Sequence, residues 1–376
     1  MKNAIRALVL LVALAMLAAA CGDDTEGDTE TTAAAATETT AAATETTAAA
    51  TETTAAATET TEAMADGPTD LSVGLVLLGV AEEPWYSTMI DSIARVADEA
   101  PHGLSITSEV FENISYADGE RIMRDLASSG KYQMIIAHSA FSDGVNAVKA
   151  EFPDILFAFS GSGNTPEGGN GYWIDVWVHE PAYLAGIIAG MMTETNKISG
   201  VAAFPFPNVN GPLNAWVEGA LSVNPDVEAN VNYIESWFDP ATAKESAVAQ
   251  IANGSDMVYM ERFGPLEAVQ SSEGVYSFGH FSDQIALDPA LVLTSPVAKW
   301  DPAFMTLVDE WYAHVTEGAE YDAPMERIMF FMDAGGADIG AISDTVPADV
   351  QAAVTEARDK ILSGELVVDF NDAPIE

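Results

Sequence analysis

Cysteine and basic residues are both scarce in this 376-residue chain. Cys21 is the single cysteine, so no disulfide can form within the chain and the fold must depend on its hydrophobic core. Only 14 Lys and Arg residues stand against 58 Asp and Glu, which gives a formal net charge of −44. A surface of this charge repels phosphate backbones and argues against nucleic-acid binding. The acidity indicates a strongly solvated surface, as expected in a salty environment, and points to no particular chemistry.

Residue patterns that carry catalysis or bind metals are also missing. The five histidines are scattered and do not show the spacing of metal ligands. The segment Ser-Gly-Ser-Gly at 160–163 lacks the elbow pattern that activates a serine in hydrolases, and neither glycine-rich phosphate-binding motif occurs. We therefore predict no enzymatic activity, no metal site and no cofactor.

The first 21 residues are typical of an export signal. Lys2 and Arg6 precede an apolar run over residues 7–20, and small residues lead up to Cys21. The run is shorter than the ~20 residues that a membrane-spanning helix needs. This arrangement resembles a bacterial lipoprotein signal, in which Cys21 receives lipid and becomes the mature N-terminus. We therefore predict a signal peptide over residues 1–20 and an extracytoplasmic protein that is lipid-anchored to the cell membrane.

Residues 21–70 form a low-complexity segment rich in Thr, Glu and Ala. The sequence Thr-Glu-Thr-Thr-Ala-Ala-Ala repeats at 37–43, 44–50 and 51–57. A coiled-coil seam needs large apolar residues, and this segment offers only alanine and threonine. It cannot bury enough apolar surface to offset chain entropy, so we predict a disordered tether.

From Leu71 onward, short apolar runs alternate with helix-like segments. Most runs are continuously apolar, which is typical of parallel strands covered on both faces. The predicted strands cover residues 71–78, 134–137, 155–159, 198–204, 231–234, 257–260, 275–279 and 291–295. The predicted helices cover residues 88–99, 118–129, 142–151, 181–193, 210–222, 240–253, 264–273 and 302–317. This alternation predicts right-handed βαβ units and an α/β fold with doubly wound parallel sheets.

The predicted elements are too numerous for one sheet of this type, so we expect two lobes joined by a hinge. Clusters of Gly, Pro and polar residues predict crossings between the lobes near 164–171, 299–302 and 322–324. In this interpretation the lobes have the following ranges: lobe 1 comprises residues 71–172 and about 296–322, and lobe 2 comprises residues 173–295 and about 323–376.

Large aromatic residues recur directly after predicted strands in both halves of the chain. In open parallel sheets, ligands bind beyond the carboxyl ends of the strands. Trp85 and Trp237 occupy such positions, one in each expected lobe, and two rings of this kind can hold a planar ligand between them. Any single ring could instead fill packing between the lobes. The full set of predicted ligand-binding residues is Glu82, Trp85, Tyr86, His138, Phe204, Trp237, Asp239, Phe281, Asp283 and Trp300.

A series of short fragments covers nearly the whole segment 71–376. In chain order they are Phe152-Pro153-Asp154, Glu180-Pro181-Ala182-Tyr183-Leu184-Ala185-Gly186, Thr195-Asn196-Lys197-Ile198, Asn224-Pro225-Asp226, Ser236-Trp237-Phe238-Asp239-Pro240, Glu273-Gly274-Val275-Tyr276, Ser282-Asp283-Gln284 and Leu293-Thr294-Ser295. In this order and spacing they resemble the basic membrane protein family of bacterial solute-binding lipoproteins, also called PnrA-like receptors. The resemblance implies a type I periplasmic-binding-protein fold that feeds an ABC permease, with purine bases or nucleosides as ligands.

The resemblance also assigns roles to individual residues. Trp85 and Trp237 match the two positions that stack on the base. Asp283 matches the second acid of a Gly-x-Asp-x-Asp-Gln motif, whereas Phe281 replaces the first acid, which is associated with ribose hydroxyls. Loss of a hydroxyl acceptor favours a flatter ligand, so we expect a purine base, or another planar heterocycle, over an intact nucleoside. The alternatives are a ligand-sensing co-receptor, a surface-interaction lipoprotein, and a receptor for a sugar or a flavin.

Overall fold

The computed structural model describes residues 67–375, so the predicted signal peptide, the lipidation site Cys21 and nearly all of the predicted tether lie outside the described residues. Strands and helices alternate along the described chain. Its thirteen strands are β1 Asp70–Leu77, β2 Ser105–Phe111, β3 Met134–His138, β4 Leu156–Ser160, β5 Gly171–Val176, β6 Lys197–Ala202, β7 Glu228–Tyr233, β8 Met257–Met260, β9 Tyr276–Phe278, β10 Val292–Thr294, β11 Pro296–Ala298, β12 Ile328–Phe330 and β13 Ala337–Ile339.

Nine α-helices lie between or after these strands in the part of the chain that the structure describes. They are α1 Pro84–Glu99, α2 Tyr116–Ser128, α3 Ser142–Val148, α4 His179–Met192, α5 Pro207–Val223, α6 Pro240–Ala252, α7 Pro265–Gln270, α8 Asp301–Glu317 and α9 Ala348–Leu362. Between residues 67 and 375, no helix combines the length and the apolar character that crossing a membrane requires.

The strands form two parallel sheets and one short antiparallel pair. The first sheet has the order β12-β5-β4-β3-β1-β2, and the second has the order β10-β9-β8-β6-β7. Strand β11 pairs with β13 in antiparallel register. The chain passes from the first sheet to the second after β5 and, after β10, returns to the first sheet at β12. After β12 it leaves the first sheet again for β13 and α9, which contact α4. We call the first sheet and its helices lobe 1, and the second sheet and its helices lobe 2. The predicted doubly wound α/β fold is confirmed.

Burial explains why the central strands were recognisable from the sequence. Every residue of β3, β4 and β8 is buried, which requires the continuously apolar runs that the sequence shows. The elements that the sequence analysis missed carry weaker signals. Strand β2 is a largely exposed edge strand with polar side chains, and β11, β12 and β13 have only three residues each. Helix α9 and the largely buried strand β5 were also missed.

Two expected crossing points differ from the observed sheet pairing. The expected boundary between residues 172 and 173 falls inside β5, which pairs with β4 and β12 within the first sheet. Strand β12 also belongs to the first sheet, although residues from 323 onward were expected in lobe 2. The Gly-rich segment at 164–171 is a loop within lobe 1, where Lys149 Nζ donates to the carbonyl oxygens of Glu167 and Gly168 at 3.2 and 2.6 Å.

Helices α4 and α5 pack at unusually short range in lobe 2. An ideal Cβ added to Gly186 would lie 2.0 Å from the Trp216 carbonyl oxygen, and one added to Gly219 would lie 2.0 Å from the Tyr183 carbonyl oxygen. Side chains at these two positions would collide with backbone, so glycine is what allows the helices to approach.

Candidate functional site

A cavity of about 730 Å³ lies between the two lobes, at the carboxyl ends of the strands of both sheets. Lobe 1 contributes residues that follow β1, β3 and β4, and lobe 2 contributes residues that follow β6, β7, β8 and β9. Large aromatic side chains from both lobes form part of the wall. Its aromatic carbocyclic and indole side chains are Trp85, Tyr86, Tyr116, Phe206, Trp237, Phe238, Phe263 and Phe281.

Trp85, in lobe 1, is held in place by three neighbouring rings, of which Phe281 comes from lobe 2. It stands in the first turn of α1, which begins at Pro84. Its indole is stacked on the imidazole of His138, with ring centroids 4.9 Å apart, and contacts Phe281 and Trp300 edge-on at 5.1 and 5.4 Å. These three neighbours constrain both the position and the tilt of the indole plane.

His138 is a neutral support for Trp85. Its Nε2 lies 2.8 Å from the Trp85 carbonyl oxygen, an acceptor, so Nε2 carries the proton. Its Nδ1 lies 2.6 Å from Ser160 Oγ, which can donate to it. Complete burial lowers the pKa of His138 to about 4, and the hydrogen bond to Trp85 opposes that shift only in part.

Trp237 presents its ring from lobe 2. It lies on the loop after β7 and keeps 40% of its surface exposed. Its indole lies beside Phe204 and Phe206, at centroid distances of 5.2 and 5.8 Å. The Arg262 guanidinium lies over the indole, 5.5 Å from its centroid, and Nη1 of Arg262 donates to the Trp237 carbonyl oxygen at 2.8 Å.

Arg262 is itself held by the buried carboxylate of Glu261. Nε and Nη2 of Arg262 donate to the two carboxylate oxygens at 2.8 and 2.6 Å, and the Ala203 backbone N–H donates to the same carboxylate at 2.8 Å. Burial raises the pKa of Glu261, and Arg262 opposes that rise. Nearby, the pKa of His280 lies well below its usual value because of burial, so its ring is neutral, and its Nδ1 forms a hydrogen bond of 2.9 Å with the Tyr259 hydroxyl.

Lobe 1 offers a polar group opposite Arg262. Glu83, directly before α1, lines the cavity with Tyr86, Tyr116 and Ser139. Burial raises the pKa of Glu83, and the positive charge of Arg262 is the first of the opposing influences. Burial, followed by the charge of Glu83, also raises the pKa of Tyr86. A carboxylate and hydroxyl groups on one lobe therefore face a guanidinium and aromatic rings on the other.

The predicted site residues fall into two groups relative to the cavity. Trp85, Tyr86, Trp237 and Phe281 line it. The other predicted residues lie behind the wall or away from it: His138 and Trp300 are buried beneath Trp85, Phe204 packs beside Trp237, and Glu82, Asp239 and Asp283 lie outside the lining. Contact of any of them with a ligand stays a prediction.

Two of the three predicted acids outside the lining have structural partners. Asp239 caps α6, because its carboxylate accepts from the Thr242 backbone N–H at 3.0 Å and from the Thr242 hydroxyl at 2.8 Å. Asp283 accepts from the backbone N–H groups of Ile285 and Ala341 at 3.1 and 3.0 Å. Glu82 is exposed, and the neighbouring Glu83 takes its place at the cavity.

Sequence reasoning missed several lining residues. Glu261, Arg262 and Phe263 follow β8 directly, so the rule that selected the other strand ends would also have found them. Phe206, at the start of α5, follows a predicted strand closely but was not included in the predicted site, and Tyr116, at the start of α2, became apparent only with the helix boundaries.

Comparison with known protein families and relatives agrees with the two-lobed fold. The family described as "ABC transporter substrate-binding protein PnrA-like" matches residues 72–366. A putative ABC transporter glucose-binding protein of Haloferax volcanii is 30% identical over 81% of this chain and 75% of its own length. A purine-binding protein of Brucella abortus is 27% identical over 79% of this chain and 82% of its own length.

Solved structures show the same fold. An ABC transporter solute-binding protein from Conexibacter woesei superposes with a TM-score of 0.64 at 19% identity, over 80% of this chain and 99% of its own. Proteins of this family bind small-molecule solutes outside the cytoplasm and deliver them to the permease of an ABC transporter, without catalysing a reaction. The chain belongs to this family: it is a PnrA-like substrate-binding protein of an ABC transporter.

Proposed function

We propose that this protein binds a planar heterocycle, a purine base or nucleoside, in the cavity between its lobes. The observation that carries the proposal is that Trp85 of lobe 1 and Trp237 of lobe 2 line the same cavity. Stacking on an aromatic side chain contributes ~1–3 kcal/mol per base. A ligand that contacts both rings stabilises the closed arrangement of the lobes, because only that arrangement offers both faces.

A purine base is the preferred ligand over a nucleoside. Phe281 stands where an acid would meet ribose hydroxyls, and its ring is buried against the edge of Trp85 at 5.1 Å. The Asp283 carboxylate already accepts hydrogen bonds from the backbone N–H groups of Ile285 and Ala341. Both features reduce the number of acceptors for sugar hydroxyls. The name of the purine-binding relative from Brucella abortus supports the same class of ligand.

A sugar is the second candidate because the Haloferax volcanii relative, at 30% identity, is a putative glucose-binding protein. Calorimetry with adenine, guanine, adenosine, inosine and glucose separates the two candidates. We expect binding of at least one purine base, more weakly of the corresponding nucleoside, and none of glucose. Tighter binding of the nucleosides would overturn the preference for a base, and binding of glucose alone would overturn the proposal. Mass spectrometry of any molecule that copurifies provides an independent identification.

The proposal extends to membrane attachment through Cys21. A basic start, a short apolar run and small residues before the single cysteine support lipidation at that position. The full-length protein should therefore partition with membranes and into detergent, and C21S should be recovered in the aqueous fraction. Equal partitioning of C21S with the membrane would contradict the lipid anchor.

A further inference from the structure

The charges that line the cavity do not balance. Among the described residues, its charged side chains are Glu83, Glu261 and Arg262. Glu261 and Arg262 form a paired unit on lobe 2, with carboxylate and guanidinium joined at 2.6 Å. His280 also lines the cavity but is neutral because burial lowers its pKa. One negative charge, that of Glu83 on lobe 1, therefore has no directly paired cation.

The position of Glu83 leaves its carboxylate available to a ligand. Glu83 is the N-cap residue of α1, yet its side chain makes no capping hydrogen bond to the helix, and a backbone hydrogen bond with Val80 helps to lower the pKa of its carboxyl group. Within residues 67–375, no Lys, Arg or His nitrogen lies within 4.0 Å of the carboxylate oxygens. A half-buried carboxylate in this situation gains from an N–H donor supplied by the ligand.

The surroundings hold this carboxylate at one place in the wall. An ideal Cβ added to Gly79 would lie 2.7 Å from Glu83 Oε1 and 2.7 Å from the ring of Tyr86, so the carboxylate packs closely over the backbone that follows β1. Arg262 faces it from the other lobe without pairing. Ring stacking by the two indoles would fix the plane of a ligand, and Glu83 would meet its edge.

We infer that Glu83 is the residue that determines specificity at this site, by accepting a hydrogen bond from an exocyclic amino group of a planar, uncharged or cationic heterocycle. The inference rests on the proposed function, because it requires that the ligand stack between Trp85 and Trp237. The negative charge of Glu83, which has no directly paired cation, also disfavours heterocycles that bear a carboxylate or a phosphate, through like-charge repulsion.

The test compares pairs of purines that differ in one exocyclic amino group. The pairs are adenine with 6-methylpurine, and guanine with hypoxanthine, measured by calorimetry on wild type and E83Q. We expect wild type to prefer the amino-bearing member of at least one pair by about 10- to 100-fold, and E83Q to lose most of that preference. The matched control E99Q neutralises an exposed glutamate at the end of the same helix and should retain the wild-type preference.

Each outcome has a distinct meaning. If wild type binds no purine, the proposed function fails and the inference fails with it. If wild type binds purines without distinguishing the members of either pair, or if folded E83Q keeps the wild-type preference, the inference about Glu83 is wrong while the proposed function stands. Thermal unfolding of E83Q establishes that it is folded, and the comparison of ligand pairs on wild type requires no variant.

Discussion

The indole of Trp85 and the imidazole of His138 are parallel to within 1°, with their centroids 4.9 Å apart. The same histidine donates from Nε2 to the Trp85 carbonyl oxygen. A buried ring in lobe 1 thus supports both the backbone and the side chain of a residue that lines the cavity. Its protonation would place a charge in a buried aromatic layer, which links the site to pH.

We predict that His138 makes the protein less stable in acid. Its pKa is about 4 in the folded protein against 6.5 as the ordinary value, so its contribution is fully present above pH 6.5 and is lost as the pH falls towards 4. The loss amounts to about 3 kcal/mol when complete. Urea denaturation at pH 7 and pH 4 should show that H138Q loses less stability between these pH values than wild type does. An equal loss would contradict the prediction.

Trp237→Ala should weaken ligand binding far more than it weakens folding. The ring is 40% exposed, so little packing is lost, whereas a stacking face of ~1–3 kcal/mol disappears. We expect the Kd for the bound purine to rise about 10- to 100-fold with a small change in thermal unfolding. Trp216→Ala is the contrasting variant, since Trp216 is fully buried and its removal should cost ~3–5 kcal/mol of folding stability. An equally large loss of thermal stability in both variants would show that Trp237 belongs to the hydrophobic core.

The ion pair between Asp175, at the end of β5, and Arg327 should contribute most to folding stability at high pH. Asp175 is buried, and Nη1 of Arg327 donates to it at 3.1 Å while the guanidinium lies over Trp173 and Trp177. Burial raises the pKa of Asp175 to about 6, and Arg327 opposes that rise. Arg327→Met leaves the carboxylate buried without its cation, which costs ~3–5 kcal/mol while it is ionised.

The pH dependence distinguishes this effect from simple loss of packing. A raised pKa means that protonation favours the folded state, so the penalty in R327M should be full at pH 8 and smaller at pH 5. Chemical denaturation at both pH values measures it. R121M serves as the control because Arg121 lies on the exposed face of α2 with 62% of its side chain accessible, and it should change stability little at either pH. A penalty in R327M that is independent of pH would refute the assignment.

Gly186→Ala should destabilise lobe 2 by separating α4 from α5. The added methyl group would lie 2.0 Å from the Trp216 carbonyl oxygen, a backbone atom that can move only with its helix. We expect a loss of ~1–3 kcal/mol, seen as a lower Tm. Gly74→Ala is the matched control, because its new Cβ would meet the Tyr132 ring at 3.4 Å, an ordinary contact. Equal Tm values for the two variants would show that the helices can adjust.

The buried strands and the general location of the site were predictable from the sequence. All eight predicted strands occur, because a parallel strand covered on both faces must be apolar along its length. The rule that ligands bind beyond the carboxyl ends of such strands then selected Trp85 and Trp237, and the structure brings both to one cavity. The rule also selected Asp239 and Asp283, whose carboxylates turn to backbone N–H groups.

The orientation of neighbouring side chains required the folded chain. Glu82 and Glu83 are identical residues at adjacent positions, and only the start of α1 at Pro84 decides which of them faces the cavity. Arg262 likewise gains its role from Trp237, which lies on a different segment of the chain. Such contacts depend on long-range packing and have no local sequence signal.

The amino-acid sequence by itself determined the alternation of strands and helices, the acidic surface and the aromatic residues at strand ends, because hydrophobic patterning and composition act locally. Only the tertiary structure decided which charges are paired, where β5 and β12 join the first sheet, and that Glu83 faces the cavity with no cation paired to it. These features depend on distances between segments far apart in the chain, and folding alone establishes those distances.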